Sequence, residues 1–80
     1  MRIEVQLFAT FAQYLPPGGR DGSAVLDVPE NSTPREIARR LGLPNEFDRV
    51  LLVNGRDADP DQRLAPDDVL TLFPPLAGGK

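Results

Sequence analysis

The sequence predicts an α+β domain in which one main helix packs across a mixed four- to five-stranded sheet. Three observations carry that expectation. Ile3, Val5 and Leu7 alternate with Arg2, Glu4 and Gln6, the period of a half-buried strand. Thr33-Pro34-Arg35-Glu36 is a helix start that opens an apolar stripe. Two short apolar runs, Val50 to Val53 and Val69 to Phe73, have the length of buried strands. Eighty residues make one domain at most, with room for a small core.

The elements follow in order. After the first strand, Phe11, Tyr14 and Leu15 sit at i, i+3 and i+4, the spacing of one helical face. This predicts a short helix whose aromatics pack on the core, stopped by Pro16-Pro17. Residues 16–24 are turn formers. Gly18-Gly19 lacks the strand–GxxxxGK[ST]–helix context of a phosphate cradle. Val25, Leu26 and Val28 form a second strand that pairs back on the first, and Pro29 closes it.

The main helix begins at a T-x-x-E capping box, Thr33 with Glu36, and Pro34 takes the first helical position. Ile37, Ala38 and Leu41 make its buried stripe. Gly42 is placed to end it, with Leu43 folding back and Pro44 beyond. Arg35, Arg39, Arg40 and Arg49 make the one local basic patch, either a solvated face or a docking surface.

Val50 to Val53 is continuously apolar, the mark of a central strand covered on both faces or nearly so. Asn54-Gly55 supplies positive-φ residues for a tight turn, with a short extra strand expected near residues 56–58. Asp57, Asp59, Asp61 and Asp68 match part of a calcium-loop spacing. Gln62 stands where that loop needs glycine and Pro60 intrudes, so no metal site is assigned. Leu64 is the lone apolar plug of this polar loop. Pro66-Asp67-Asp68 turns the chain into the last strand, which is expected beside the first at the sheet centre.

Composition narrows the function. Charged residues are 26% and apolar residues 40%, as in a folded domain. A net charge of −3 and a pI of about 4.7 argue against a nucleic-acid surface. The sequence contains no cysteine and no histidine, which excludes disulfides, thiol nucleophiles and imidazole chemistry. No stretch approaches the ~18 apolar residues of a membrane span, and no signal-peptide pattern opens the chain, so a cytoplasmic location is expected.

The last strand is followed by Pro74-Pro75-Leu76-Ala77-Gly78-Gly79-Lys80. Two prolines end the ladder. Residues 1–75 therefore read as the domain and 76–80 as a flexible tail. Extended, residues 74–79 would span roughly 20 Å. Glycines carry no Cβ and can thread a narrow channel. The chemical group such an end offers is a main-chain carboxylate, which adenylation would make an acyl donor and sulfur would convert to a thiocarboxylate. Adjacent glycines near an end also arise by chance, so the tail alone leaves an inert reading open.

Several strings together resemble the MoaD/ThiS family of sulfur carriers. They are Pro29 to Thr33, Leu52-Val53-Asn54-Gly55-Arg56, Leu64 with Asp67-Asp68, and Phe73 to Gly79. The early helix and Pro74-Pro75 look more like the MoaD branch, the small subunit of molybdopterin synthase. The resemblance implies a ubiquitin-like β-grasp fold and a carrier that is not itself an enzyme. It implies an E1-like adenylating partner of the MoeB/ThiF type that uses ATP, and no cofactor bound to the carrier. It implies a synthase large subunit of the MoaE type, or another acceptor enzyme, that takes the sulfur, in the MoaD case for molybdopterin. By position, Gly79 is the residue modified, and Gly78, Ala77 and Leu76 thread beside it. Phe73, Pro74, Pro75 and Arg39 would help to dock partners. Lys80 departs from the pattern, because Gly79 then has a peptide bond where the chemistry needs an acid. A peptidase that removes Lys80 would restore the end. A ubiquitin-like modifier conjugated through Gly79, or a binding-only domain with an inert tail, are the alternatives.

Overall fold

The computed structural model describes residues 1–43 and 50–74. Five strands, β1 (Arg2–Leu7), β2 (Ser23–Asp27), β3 (Val50–Val53), β4 (Arg56–Asp57) and β5 (Val69–Phe73), form one sheet in the order β2-β1-β5-β3-β4. β1 and β5 run parallel at its centre, with Leu7 opposite Leu72. The other pairings are antiparallel. One helix, α1 (Pro34–Leu41), covers one face.

The two-residue period of β1 decides which face is covered. Ile3, Val5 and Leu7 point inward and are fully buried, while Arg2, Glu4 and Gln6 point to the open face. β5 repeats the pattern, with Leu70 and Leu72 buried beside them. Ile37 and Ala38 of α1 close the core from above, and Val28, Leu43, Val53 and Leu64 seal its rim.

The helix boundaries are set locally. Thr33 Oγ1 accepts the Glu36 N–H at 3.3 Å, and Glu36 Oε1 accepts the Thr33 N–H at 3.0 Å. At the other end Gly42 adopts φ 86, a left-handed conformation that favours glycine. The Leu43 N–H then donates to the Ala38 carbonyl at 3.0 Å, which folds Leu43 under the helix and buries it. Eight residues are too few to be stable alone, so the cap and the packing must both contribute. Thr33→Ala should cost about 1 kcal/mol of unfolding free energy in chemical denaturation, with the m-value unchanged.

Two expectations need correction. The turn after β1 is a 3-10 helix over Ala9–Tyr14, with i+3 bonds from Phe11 N–H to Phe8 O and from Leu15 N–H to Ala12 O. Phe11 and Tyr14 are three apart, which suits three residues per turn as well as 3.6. Phe11 is buried as expected. The second correction concerns β3, which is not covered on both faces. Val50 and Leu52 are only half-buried because the open face has no second layer among the described residues, and Leu51, on the covered face opposite Leu72, is half-buried where β3 lies next to the edge strand.

The remaining polar loop is held by main-chain bonds. The Leu64 N–H donates to Ser32 O at 2.8 Å and buries the Leu64 side chain, and the Arg35 N–H donates to Pro60 O. Among the described residues, no helix is long and apolar enough to cross a membrane.

Candidate functional site

β5 is the element that carries the chain out of the domain. It lies between β1 and β3, and its Leu70 and Leu72 side chains are wholly buried. The last strand residue, Phe73, alternates to the open face and pairs with Val50 of β3. Pro74 follows and cannot donate to the ladder. The exit from the sheet is therefore anchored in a central strand with a buried middle.

Phe73 is not alone at this exit. Phe8 follows β1 on the same outward parity, and the two rings meet edge to face, 6.3 Å apart at 75°. Phe8 remains 46% exposed and is, with Val25, one of two exposed large apolar side chains among the described residues. Further down the open face the side chains are polar and bonded to one another. Thr71 Oγ1 donates to Gln6 Oε1 at 3.1 Å. Gln6 Nε2 and Ser23 Oγ both donate to Glu4 Oε2, at 3.2 and 3.1 Å. The open face thus joins an aromatic corner at the chain exit to a hydrogen-bonded network of Thr71, Gln6, Glu4 and Ser23. That arrangement can seat a partner beside the emerging chain.

Sequence reasoning did not single out Phe8 as a site residue. The signal was present, since Phe8 is an aromatic placed on the polar parity of an alternating strand.

The predicted docking residues fall on both sides of the sheet. Phe73 and Pro74 stand at the chain exit. Arg39 is exposed in the last turn of α1, the helix that covers the opposite face. The fold does not bring them together. Arg35 of the same patch is engaged: its Nε donates to Asp61 Oδ1 at 2.8 Å and its Nη2 to Asp61 Oδ2 at 3.2 Å. The hydrogen bond from Arg35 is the main reason the Asp61 carboxyl lies below its ordinary range. Both groups face water, so the pair adds little stability and serves to fix the loop on α1. Pro75, Leu76, Ala77, Gly78, Gly79 and Lys80 lie outside the described residues, as does Arg49.

The acidic loop is built for structure. Asp59 accepts the Asp61 N–H, and Asp68 accepts the Ala65 N–H and an Asn54 side-chain N–H. Among the described residues no group of His, Cys, Asp or Glu could hold a metal ion.

Comparison with known proteins agrees with the fold. A family model, the ThiS family, matches residues 5–79. Two structures of small archaeal modifier protein 1 from Haloferax volcanii are similar over 94% and 99% of this chain and 98% and 100% of theirs, at 24% and 26% identity and TM-scores of 0.70 and 0.71. Molybdopterin converting factor subunit 1 from Pyrococcus furiosus is 25% identical, with a TM-score of 0.70 over 94% of this chain and 98% of that one. No curated protein matches the sequence. With a family match over nearly its whole length and, among the described residues, a five-stranded sheet under one short α-helix, this chain belongs to the ThiS family of small β-grasp carrier proteins.

Proposed function

We propose that this chain is a sulfur carrier whose reactive group is the Gly79 carboxylate. The observation that carries the reading is the extent of the family match, which runs through β5 and the exit at Pro74 and closes on Gly79. Gly79 is followed by Lys80. A carboxylate there requires hydrolysis of the Gly79–Lys80 bond, the task of a peptidase partner.

The chemistry then balances in two steps. In an E1-like partner of the MoeB/ThiF type, a Gly79 carboxylate oxygen attacks the α-phosphorus of ATP and pyrophosphate leaves. A sulfur nucleophile at the oxidation level of hydrosulfide attacks the acyl carbon, and AMP leaves with the original oxygen. The product is a thiocarboxylate, a soft nucleophile on an arm. ATP belongs to the partner, and the carrier itself needs no cofactor. Phe8, Phe73 and Pro74 supply the apolar contact that seats the domain while residues 76–79 enter the partner's active site. The likeness to a molybdopterin converting factor subunit favours a synthase of the MoaE type as the next partner, with molybdopterin as the sulfur acceptor.

The likeness to an archaeal modifier protein favours a second reading, in which the same activated Gly79 acylates a target lysine ε-amine. One experiment separates the two. The form ending at Gly79 is incubated with an E1-like partner, ATP and a sulfur donor, and its intact mass is recorded. A gain equal to one oxygen-to-sulfur exchange is expected, and no gain for the chain that retains Lys80. Absence of the exchange, with reductant-resistant adducts to other proteins in E1-competent extract, would move the assignment to the modifier. Absence of both would remove activation at Gly79 altogether.

A further inference from the structure

The tight turn between β3 and β4 joins Asn54 to Gly55, both at positive φ, 54 and 83. This pair is chemically unusual. A deprotonated glycine nitrogen, unhindered by a Cβ, can attack the preceding asparagine Cγ. Ammonia leaves, a five-membered imide forms, and water opens it to an aspartyl or isoaspartyl residue. No oxidant or reductant is needed. Both residues are exposed, and a Cβ built on Gly55 would meet nothing within 4 Å, so water has free access.

The side chain of Asn54 is nevertheless committed elsewhere. Its Nδ2 donates to Asp68 Oδ1 at 2.9 Å, and its Oδ1 accepts the Val69 N–H at 2.9 Å. The Asn54 main-chain N–H also donates to Val69 O at 2.9 Å. The amide therefore extends the ladder toward the start of β5. To reach the Gly55 nitrogen it must rotate and break both side-chain bonds.

We propose that Asn54 is a spontaneous deamidation site whose rate is set by the opening of the Asp68–Val69 clamp. The clamp closes a weak part of the sheet. β4 has two residues, Arg56 and Asp57, both exposed and paired only to β3. Such an edge opens locally far more often than the domain unfolds. The reaction also removes its own brake. Deamidation replaces the Nδ2 donor with a carboxylate oxygen facing Asp68 Oδ1, so attraction becomes repulsion between like charges. An isoaspartyl product further adds a methylene to the main chain and displaces Arg56 and Asp57 from register. The turn then loosens at the point where the chain enters β5.

The test uses the full chain at mildly alkaline pH, followed by intact mass, peptide mapping and isoaspartyl labelling. Position 54 should convert before Asn31, which is followed by a serine that carries a Cβ. In urea, conversion at position 54 should be several-fold faster than in the folded chain. Asp68→Ala should raise the folded rate toward the urea rate and leave the urea rate unchanged. Equal folded rates for Asp68→Ala and the parent, or conversion at Asn31 first in urea, would overturn the proposal. If Asp68→Ala does not fold, Asn54→Asp decides: amide exchange at Val69 should accelerate in it, and an unchanged rate would refute the clamp.

Discussion

Leu72→Ala should lower the unfolding free energy by about 2–5 kcal/mol, the range for truncating a fully buried leucine. Leu72 is 0% exposed, lies opposite Leu7 in the parallel pair and opposite Leu51 in the antiparallel pair, and packs in the core with Ile37 and Ala38. Its site cannot collapse easily, because the strands on both sides are fixed by ladder bonds. A domain of this size has roughly 4–12 kcal/mol in total, at about 0.05–0.15 kcal/mol per residue. The substitution therefore removes a large share of it, and thermal unfolding should fall by roughly 10–30 °C on the usual scaling for 60–100 residues. Val25→Ala is the control. Val25 is 61% exposed on β2, and its loss should stay within about 0.5 kcal/mol. Denaturant titration of the two variants measures the contrast. Equal effects would mean that the sheet does not bury its centre as described.

Of the two strands that flank Leu72, β1 is the more readable in the sequence. The period of β1 names its buried side chains without ambiguity, and the Thr33–Glu36 box and Gly42 place both ends of α1. These are local signals, complete within one turn or one strand. The misreading of β3 has the opposite cause. A run of four aliphatics is the same string whether a second layer covers it or an open face leaves Val50 and Leu52 half in water. Only the strand order distinguishes the two, and strand order is a long-range property. Phe8 was missed for the same reason. Its partner Phe73 is brought to it by the parallel β1–β5 register. Asp68 read as one more loop carboxylate until the fold set it against the Asn54 amide. In this molecule, the elements were legible and the contacts that connect them to a site were not.

The tail is the reverse case: the chemistry proposed for it rests on the string Gly78-Gly79-Lys80 together with the family resemblance, and these residues lie outside the described ones. In the form ending at Gly79, Gly79→Ala should reduce thiocarboxylate formation by about 100-fold, the order of loss that follows a displacement of reacting groups by an ångström. The methyl group would restrict φ and widen the chain beside the carboxyl group, whose oxygen must reach the α-phosphorus of ATP and whose carbon the sulfur nucleophile must then reach. Thermal stability should not move, because the core residues among the described ones all precede Pro74. The same separation predicts that Leu72→Ala, at a temperature where it is still folded, is activated at nearly the parent rate. The domain would then act as a handle that the partner grips at Phe8 and Phe73, with the reaction confined to the last glycine. Initial rates of thiocarboxylate formation by intact mass, beside melting curves for both variants, measure this directly. A Gly79→Ala chain activated as fast as its parent would mean that the activating site tolerates a Cβ at the last residue, and the threading argument would fall.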